Sequence, residues 1–208
     1  MKIDLTGNNP DLTIDIVEDT ARFSAYINSK LKGVHSKWGI GGYNEHRTIY
    51  NRSRVFDALH GNDEPRRLHL GTDIWGPAGT AVFAPLGGMV HGFAFNDNFG
   101  DYGATIILLH QLDGFAFYTL YGHLSLPDIQ HLNEGGYVIR GQEIGHFGEP
   151  EENGHWPPHL HFQIIFDIGM NHGDYPGVCK YSEREKYLGN CPDPDLILQM
   201  NRYITKGL

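Results

Sequence analysis

Thirteen histidines occur in 208 residues. Each carries a nitrogen that can bind a metal and a proton that can move near neutral pH, so their placement decides what chemistry is open to the chain. In PPHLHFQIIF, His159 and His161 flank Leu160 within a β-branched and aromatic run that predicts a strand. Period-two alternation then sets both imidazoles on one face, about 6.6 Å apart at Cα, and turns Leu160 to the core. One ring can bind a metal while the other reaches its open position. Two surface histidines on an edge strand is the plainer alternative.

In RRLHLGTDIWG, His69 and Asp73 are four residues apart. On a helix that spacing aligns two ligands, but Gly71, Thr72 and Ile74 make a poor helix. On a straight strand it spans about 13 Å, too far for donors that must converge on one ion, so a bend at Gly71–Thr72 is required if both serve one site. His123 closes the strand FAFYTLYGHL, where alternation predicts a face shared with Phe115, Phe117, Thr119 and Tyr121. A hydrogen-bonded core histidine is the ordinary reading of that position. His91 and His110 read as ordinary strand histidines.

The elements that must position these residues are mostly strands. TAVFAP, GGMVHGFAF, ATIILLH, FAFYTLYGHL, YVIRGQEIGHFG and HLHFQIIFD follow one another between Gly, Pro, Asn and Asp clusters. LDG joins two of them closely enough for an antiparallel hairpin, and no helical pattern of crossover length intervenes. The expectation is a mainly β protein, an antiparallel sandwich or open barrel. Ahead of it, Leu12, Ile16, Phe23, Ile27 and Leu31, spaced in part by three to four, predict a helix from about Glu18 to Lys32, ended by Gly33. Residues from Val34 to Arg67 read as irregular, with a short helix near Thr48 to Leu59 and a flexible hinge at GIGGY. PDPDLILQMNRYI predicts a Pro-started helix laid on the sheet. The resulting division is an arm over residues 1–65, a β domain over 66–170 and an extension over 171–208.

Composition removes several classes. Sixteen Lys and Arg against 25 Asp and Glu leave a net charge of −9, and no basic stretch is present to track phosphates, so nucleic acid is not an expected partner. The acidic start and the absence of a long apolar run predict no membrane span and no secretory signal. Cys179 and Cys191 have neither redox nor zinc-knuckle spacing and read as free thiols. FNDNFGDYG lacks the alternation and closing Glu of a calcium loop. GIGGY lacks the strand-to-helix setting of a phosphate cradle, and Ser125 lacks the acid of a serine triad.

Taken in order, HLGTD, TAVFAP-GGMV, DYGATIILLH, TLYGHL, GQEIGHFG and PPHLHFQ make the segment from about Leu68 to Phe166 resemble the lysostaphin-like (LytM-type) zinc metalloendopeptidases. The resemblance implies an antiparallel β-sheet barrel or sandwich with a groove across a metal. It implies that His69, Asp73 and His161 bind Zn²⁺ and that His123 and His159 form the catalytic pair, without saying which of the two is the base. Two His and one Asp leave zinc a fourth position for water, the arrangement of a catalytic site. Glu149, Glu151 and Glu152 are the rival bases, in a loop with nothing to aim them. His146, His155 and Trp156 have no role in the resemblance and are expected to shape the groove.

The expected function is hydrolysis of peptide bonds in short peptides or peptidoglycan-type cross-bridges. A non-catalytic zinc-binding module that holds a peptide or partner is the alternative. A sugar-transport phosphocarrier shares the architecture, but the HxxxD ligand set has no purpose there. ENGHWPPHLHFQ with DYPGV and CPDPDL resembles a subgroup fused to class III aminotransferases in large intracellular proteins. With the acidic start, this gives an expected cytoplasmic setting, or the cell envelope if another export route operates. The arm is expected beside the groove, either covering the zinc through GGYNEHR or walling the cleft through Trp38, Tyr43 and Tyr50.

Overall fold

The computed structural model describes residues 1–58 and 63–204. In chain order come β1 (Lys2–Ile3), α1 (Ile14–Glu18), α2 (Thr20–Gly33), β2 (Gly39–Gly41) and β3 (Glu45–His46). Two 3₁₀ turns, Thr48–Arg52 and Arg54–Phe56, lead to β4 (Leu68–His69) and β5 (Thr72–Trp75). Then follow β6 (Ala81–Phe83), β7 (Gly88–Asn96), β8 (Gly103–Leu112), β9 (Phe115–Leu124), α3 (Leu126–Ile129), β10 (Tyr137–Val138), β11 (Glu143–His146) and β12 (His159–Ile165). The chain closes with β13 (Val178–Cys179), α4 (Arg184–Asn190) and α5 (Asp195–Leu198).

Eight strands form one open sheet in the order β1-β2-β5-β12-β9-β8-β7-β10, so the protein is mainly β and the sheet does not close into a barrel. Its pairings are antiparallel except β1 with β2, which run parallel. The expected β8–β9 hairpin turns on Asp113 and Gly114, both at positive φ (49° and 83°), the pairing that matches the twist of two strands. β6 with β11, and β3-β4-β13, make two smaller sheets.

One face of the large sheet packs Ile106, Leu108, Tyr121, Phe162 and Ile164 into an apolar core with Val82 and Ile144 of the small β6–β11 pair. The opposite face carries two further clusters. Helix α2 forms where expected: Asp19 accepts from the backbone N–H of Arg22 at 2.9 Å as its cap, and Phe23, Ile27 and Leu31 fall on one buried stripe. That stripe packs with Trp75, Trp156, Ile49 and Tyr50. Beside it, Leu68, Leu70, Leu120, Ile165, Cys179 and Cys191 form the third cluster.

Three expectations change. The helix near Thr48 to Leu59 is two 3₁₀ turns ending at Phe56, and Leu59 itself lies outside the described residues. GIGGY supplies strand β2 rather than a hinge, and its glycines admit close neighbours: a Cβ on Gly41 would stand 2.8 Å from Arg47 Nη2. The tail helix is only Asp195–Leu198, halted by Gln199 at φ 49°. Both cysteines are free and buried.

Candidate active site

His69 ends β4 in the three-stranded sheet, whereas Asp73 sits in β5 of the large one. The chain crosses between them at Leu70–Gly71, close to the expected bend. Glycine is required there, because a Cβ on residue 71 would lie 2.5 Å from His161 Cε1 and 2.8 Å from the Phe162 carbonyl oxygen. His161 pairs directly with Asp73 across β12 and β5. The three side chains therefore meet: His69 Nε2 is 3.0 Å from His161 Nδ1 and 3.2 Å from Asp73 Oδ1, and His161 Nδ1 is 3.1 Å from the same oxygen.

The protons of the two imidazoles go elsewhere. His69 Nδ1 donates to the Gly42 carbonyl at 2.9 Å, and His161 Nε2 to Gln163 Oε1 at 3.0 Å. In the neutral rings, two lone pairs and a carboxylate oxygen then converge with no donor among them, which a cation resolves. Tetrahedral zinc with donors at 2.0–2.2 Å holds them about 3.3 Å apart, close to the spacing found, and the N, N, O⁻ set suits it. Burial lowers the His69 pKa to about 4, with Arg47 adding to the effect and Asp73 opposing it, so this ring keeps its lone pair at neutral pH. Burial alone would raise the Asp73 pKa. His69, Arg47 and the histidine hydrogen bonds outweigh it and hold the carboxyl well below its usual range.

His123 does not keep the face expected of it. Tyr121 pairs with Phe162 and Gly122 with His161, so strict alternation would send His123 to the Tyr121 side. A register shift in the β8–β9 ladder and a φ of 63° at His123 turn it over instead, onto the face of His159 and His161. The His123 and His159 ring centroids lie 4.1 Å apart. His123 Nδ1 donates to the Asn153 carbonyl at 2.7 Å and His159 Nδ1 to the Pro157 carbonyl at 2.8 Å. His159 also stacks on Trp75, centroids 4.0 Å apart. Burial drives both pKa values down, His159 to about 4 and His123 well below the usual imidazole value.

All five side chains are only 1–6% exposed and line one cavity of about 190 Å³. Tyr50 and Phe56 from the N-terminal segment, Tyr102, Trp156 and Tyr175 complete its walls. Of the expected aromatic wall only Tyr50 is present. Trp38 packs on Phe147, and the Tyr43 hydroxyl donates to the Cys191 carbonyl at 2.6 Å. GGYNEHR does not cover the triad but braces it through Gly42 and Arg47. Trp156 lines the cavity, whereas His146 pairs with Asp128 and His155 stacks on Phe99. None of Glu149, Glu151 and Glu152 is among the lining residues. His110 is a strand histidine bonded to Gly87 and Thr119.

Sequence reasoning missed four supports. Arg47 binds Asp73, and Gly42 and Gln163 orient the imidazoles. Asn153, fully buried, bonds to Gly148 and Trp156 and so aims its own carbonyl at His123. Only Gln163 had a visible signal, sharing the HLHFQ face with both histidines.

The sequence profile of Peptidase family M23 matches residues 67–172. No curated protein matches the chain. Among solved structures, the catalytic domain of the antimicrobial peptidase lysostaphin from Staphylococcus simulans is 23% identical, with 65% of this chain and 86% of that one covered and a TM-score of 0.40. A zinc-containing peptidase from Vibrio cholerae is 27% identical over 52% of this chain and 30% of that one, TM-score 0.39. The catalytic domain of the prophage-encoded M23 protein EnpA from Enterococcus faecalis is 22% identical over 59% and 95%, TM-score 0.40.

Proposed function

Because this chain belongs to peptidase family M23, we propose that it is a zinc-dependent peptidase in which His69, Asp73 and His161 hold the metal and His123 and His159 handle the proton. The observation that carries the reading is the convergence of three acceptor atoms within 3.0–3.2 Å of one another, beside two imidazoles whose Nδ1 protons are tied to the backbone. What zinc supplies when bound there is Lewis acidity, an acidified water and a polarised carbonyl.

The protein's own groups account for the rest. With Nδ1–H committed to a carbonyl, each of His123 and His159 offers an unprotonated Nε2, and a neutral imidazole beside the reacting water can take its proton. Once protonated, that nitrogen becomes a donor to the oxygen on which charge develops, and later to the leaving amine. Either ring can take the first part, since both are neutral at pH 7 and both lie in the same cavity.

The small cavity, about 190 Å³, favours a short peptide over a polymer. Side chains of the N-terminal segment line it together with the triad, and the five candidate groups are almost wholly covered. Peptidoglycan-type cross-bridges fit this reading as short fragments. No helix among the described residues is long and apolar enough to cross a membrane.

The test is elemental analysis of protein purified without added metal, followed by cleavage of a short-peptide library. About one zinc per chain and chelator-sensitive cleavage are expected. Folded protein without a divalent metal overturns the reading. Zinc without cleavage replaces it with a non-catalytic peptide-binding module.

A further inference from the structure

Two of the three candidate metal ligands are oriented by residues that the family match does not reach. The match begins at residue 67, yet Gly42 accepts the His69 Nδ1 proton and Arg47 Nη1 binds Asp73 Oδ2 at 2.5 Å. Arg47 is fully buried. Its Nε donates to Glu45 Oε2 at 2.8 Å and its Nη2 to the same Gly42 carbonyl at 3.1 Å. One guanidinium thus ties together the carboxylate of one ligand and the carbonyl that orients another.

We infer that Arg47 is a positioning residue of the metal centre, which makes segment 42–47 part of that centre and couples its docking to metal occupancy. The inference rests on the zinc reading of the triad. Asp73 has two oxygens, and Arg47 holds Oδ2 so that Oδ1 faces the imidazoles. Partners of this outer kind fix ligand orientation and strengthen metal binding.

A cation so near a metal site also repels the metal, so the sign of its effect needs an argument. Glu45, 9% exposed, cancels the Arg47 charge at 2.8 Å. The pair brings no net charge, Asp73 keeps its own for the metal, and orientation decides. Lysine is a poor substitute, because one ammonium on a flexible stem cannot serve Glu45, Asp73 and Gly42 in the three directions that the planar fork reaches. The site is also built around the fork, since a Cβ on Gly41 would collide with Nη2.

The experiment measures zinc affinity of the full chain by chelator competition for wild type, Arg47→Met, Arg47→Lys and Glu45→Gln, with circular dichroism and thermal unfolding of each metal-free protein. Hydrogen exchange of residues 42–52 is followed with and without zinc. Arg47→Met is expected to bind zinc roughly 10–100-fold more weakly. Arg47→Lys should fall between it and wild type, and Glu45→Gln should weaken binding by leaving the cation unbalanced. Zinc should slow exchange over 42–52 most in wild type and least in Arg47→Met. Wild-type affinity in a folded Arg47→Met overturns the inference. If that variant does not fold, wild-type affinity in both Arg47→Lys and Glu45→Gln overturns it. A wild type that binds no zinc removes the zinc reading and this inference together, a result distinct from either.

Discussion

His123 and His159, 36 residues apart in sequence, set their ring centroids 4.1 Å apart at a 31° tilt and tie their Nδ1 protons to the carbonyls of Asn153 and Pro157. Neither ring contributes to the convergent acceptor triad of His69, Asp73 and His161. In the proposed reading, this pair handles the proton and the three-donor site beside it holds the metal.

That division has a direct measurement. His161→Ala and Asp73→Ala should lose the metal. His123→Ala and His159→Ala should keep it and lose roughly 10²–10⁴-fold in turnover, the usual contribution of a positioned acid or base. Metal content and peptide cleavage assayed on the same preparations separate the two groups. Equal metal loss in all four variants refutes the assignment.

Gly71 tests the bend that brings His69 to Asp73. Its missing Cβ is replaced by the His161 ring and the Phe162 carbonyl, so Gly71→Ala must push apart the strands that carry two of the three donors. The expected cost is about 1–3 kcal/mol of stability, together with weakened metal binding. Denaturant unfolding and chelator competition read both. A variant that matches wild type in each means that the backbone yields more readily than its packing indicates.

Period-two alternation was enough to place His159 and His161 on one face with Leu160 in the core, because a strand's geometry is local. The meeting of His161 with Asp73 was expected only through the family resemblance, and their direct pairing across β12 and β5 is a finding of the structure. His123 was legible as a residue but not in its direction: nothing in FAFYTLYGHL marks a non-glycine position at φ 63°. Arg47 was hidden for another reason. Its partner lies 26 residues away, and it takes the pairings of β2 with β5 and of β3 with β4 to carry segment 42–47 to the site. Text that reads as polar and irregular was hiding a fully buried ion pair.

The N-terminal segment also contributes apolar support. Phe23 is fully buried, with its ring 6.2 Å from Trp75, and Trp75 in turn stacks on His159. Phe23→Ala is expected to cost about 3–5 kcal/mol, measured by urea unfolding of the metal-free protein. A cost below about 1 kcal/mol would show that helix α2 can leave without disturbing the sheet face that bears the site.

Stability should fall as the pH drops below neutrality. Burial lowers the pKa values of His69, His110, His123 and His159, those of His69 and His159 to about 4. Between those values and the unfolded value near 6.5, the unfolded chain binds more protons than the folded one, so stability rises with pH. The contribution is fully present above about pH 6.5 and is lost progressively as the pH falls toward 4. Asp73, held below its usual pKa, acts in the same direction, losing its contribution only below about pH 4. Asp174, raised by burial and by Asp101, acts in the opposite direction, but as one partly covered carboxyl against four histidines it does not reverse the trend. The metal-free protein should therefore show a urea midpoint that declines steadily from pH 7 to pH 4.5. Added zinc should hold the midpoint up near pH 7 and release it as His69 protonates, because only the neutral imidazole binds metal. A metal-free midpoint unchanged between pH 7 and pH 5 would mean that these histidines titrate as they do in water, and that the cavity is far more open to solvent than its packing implies.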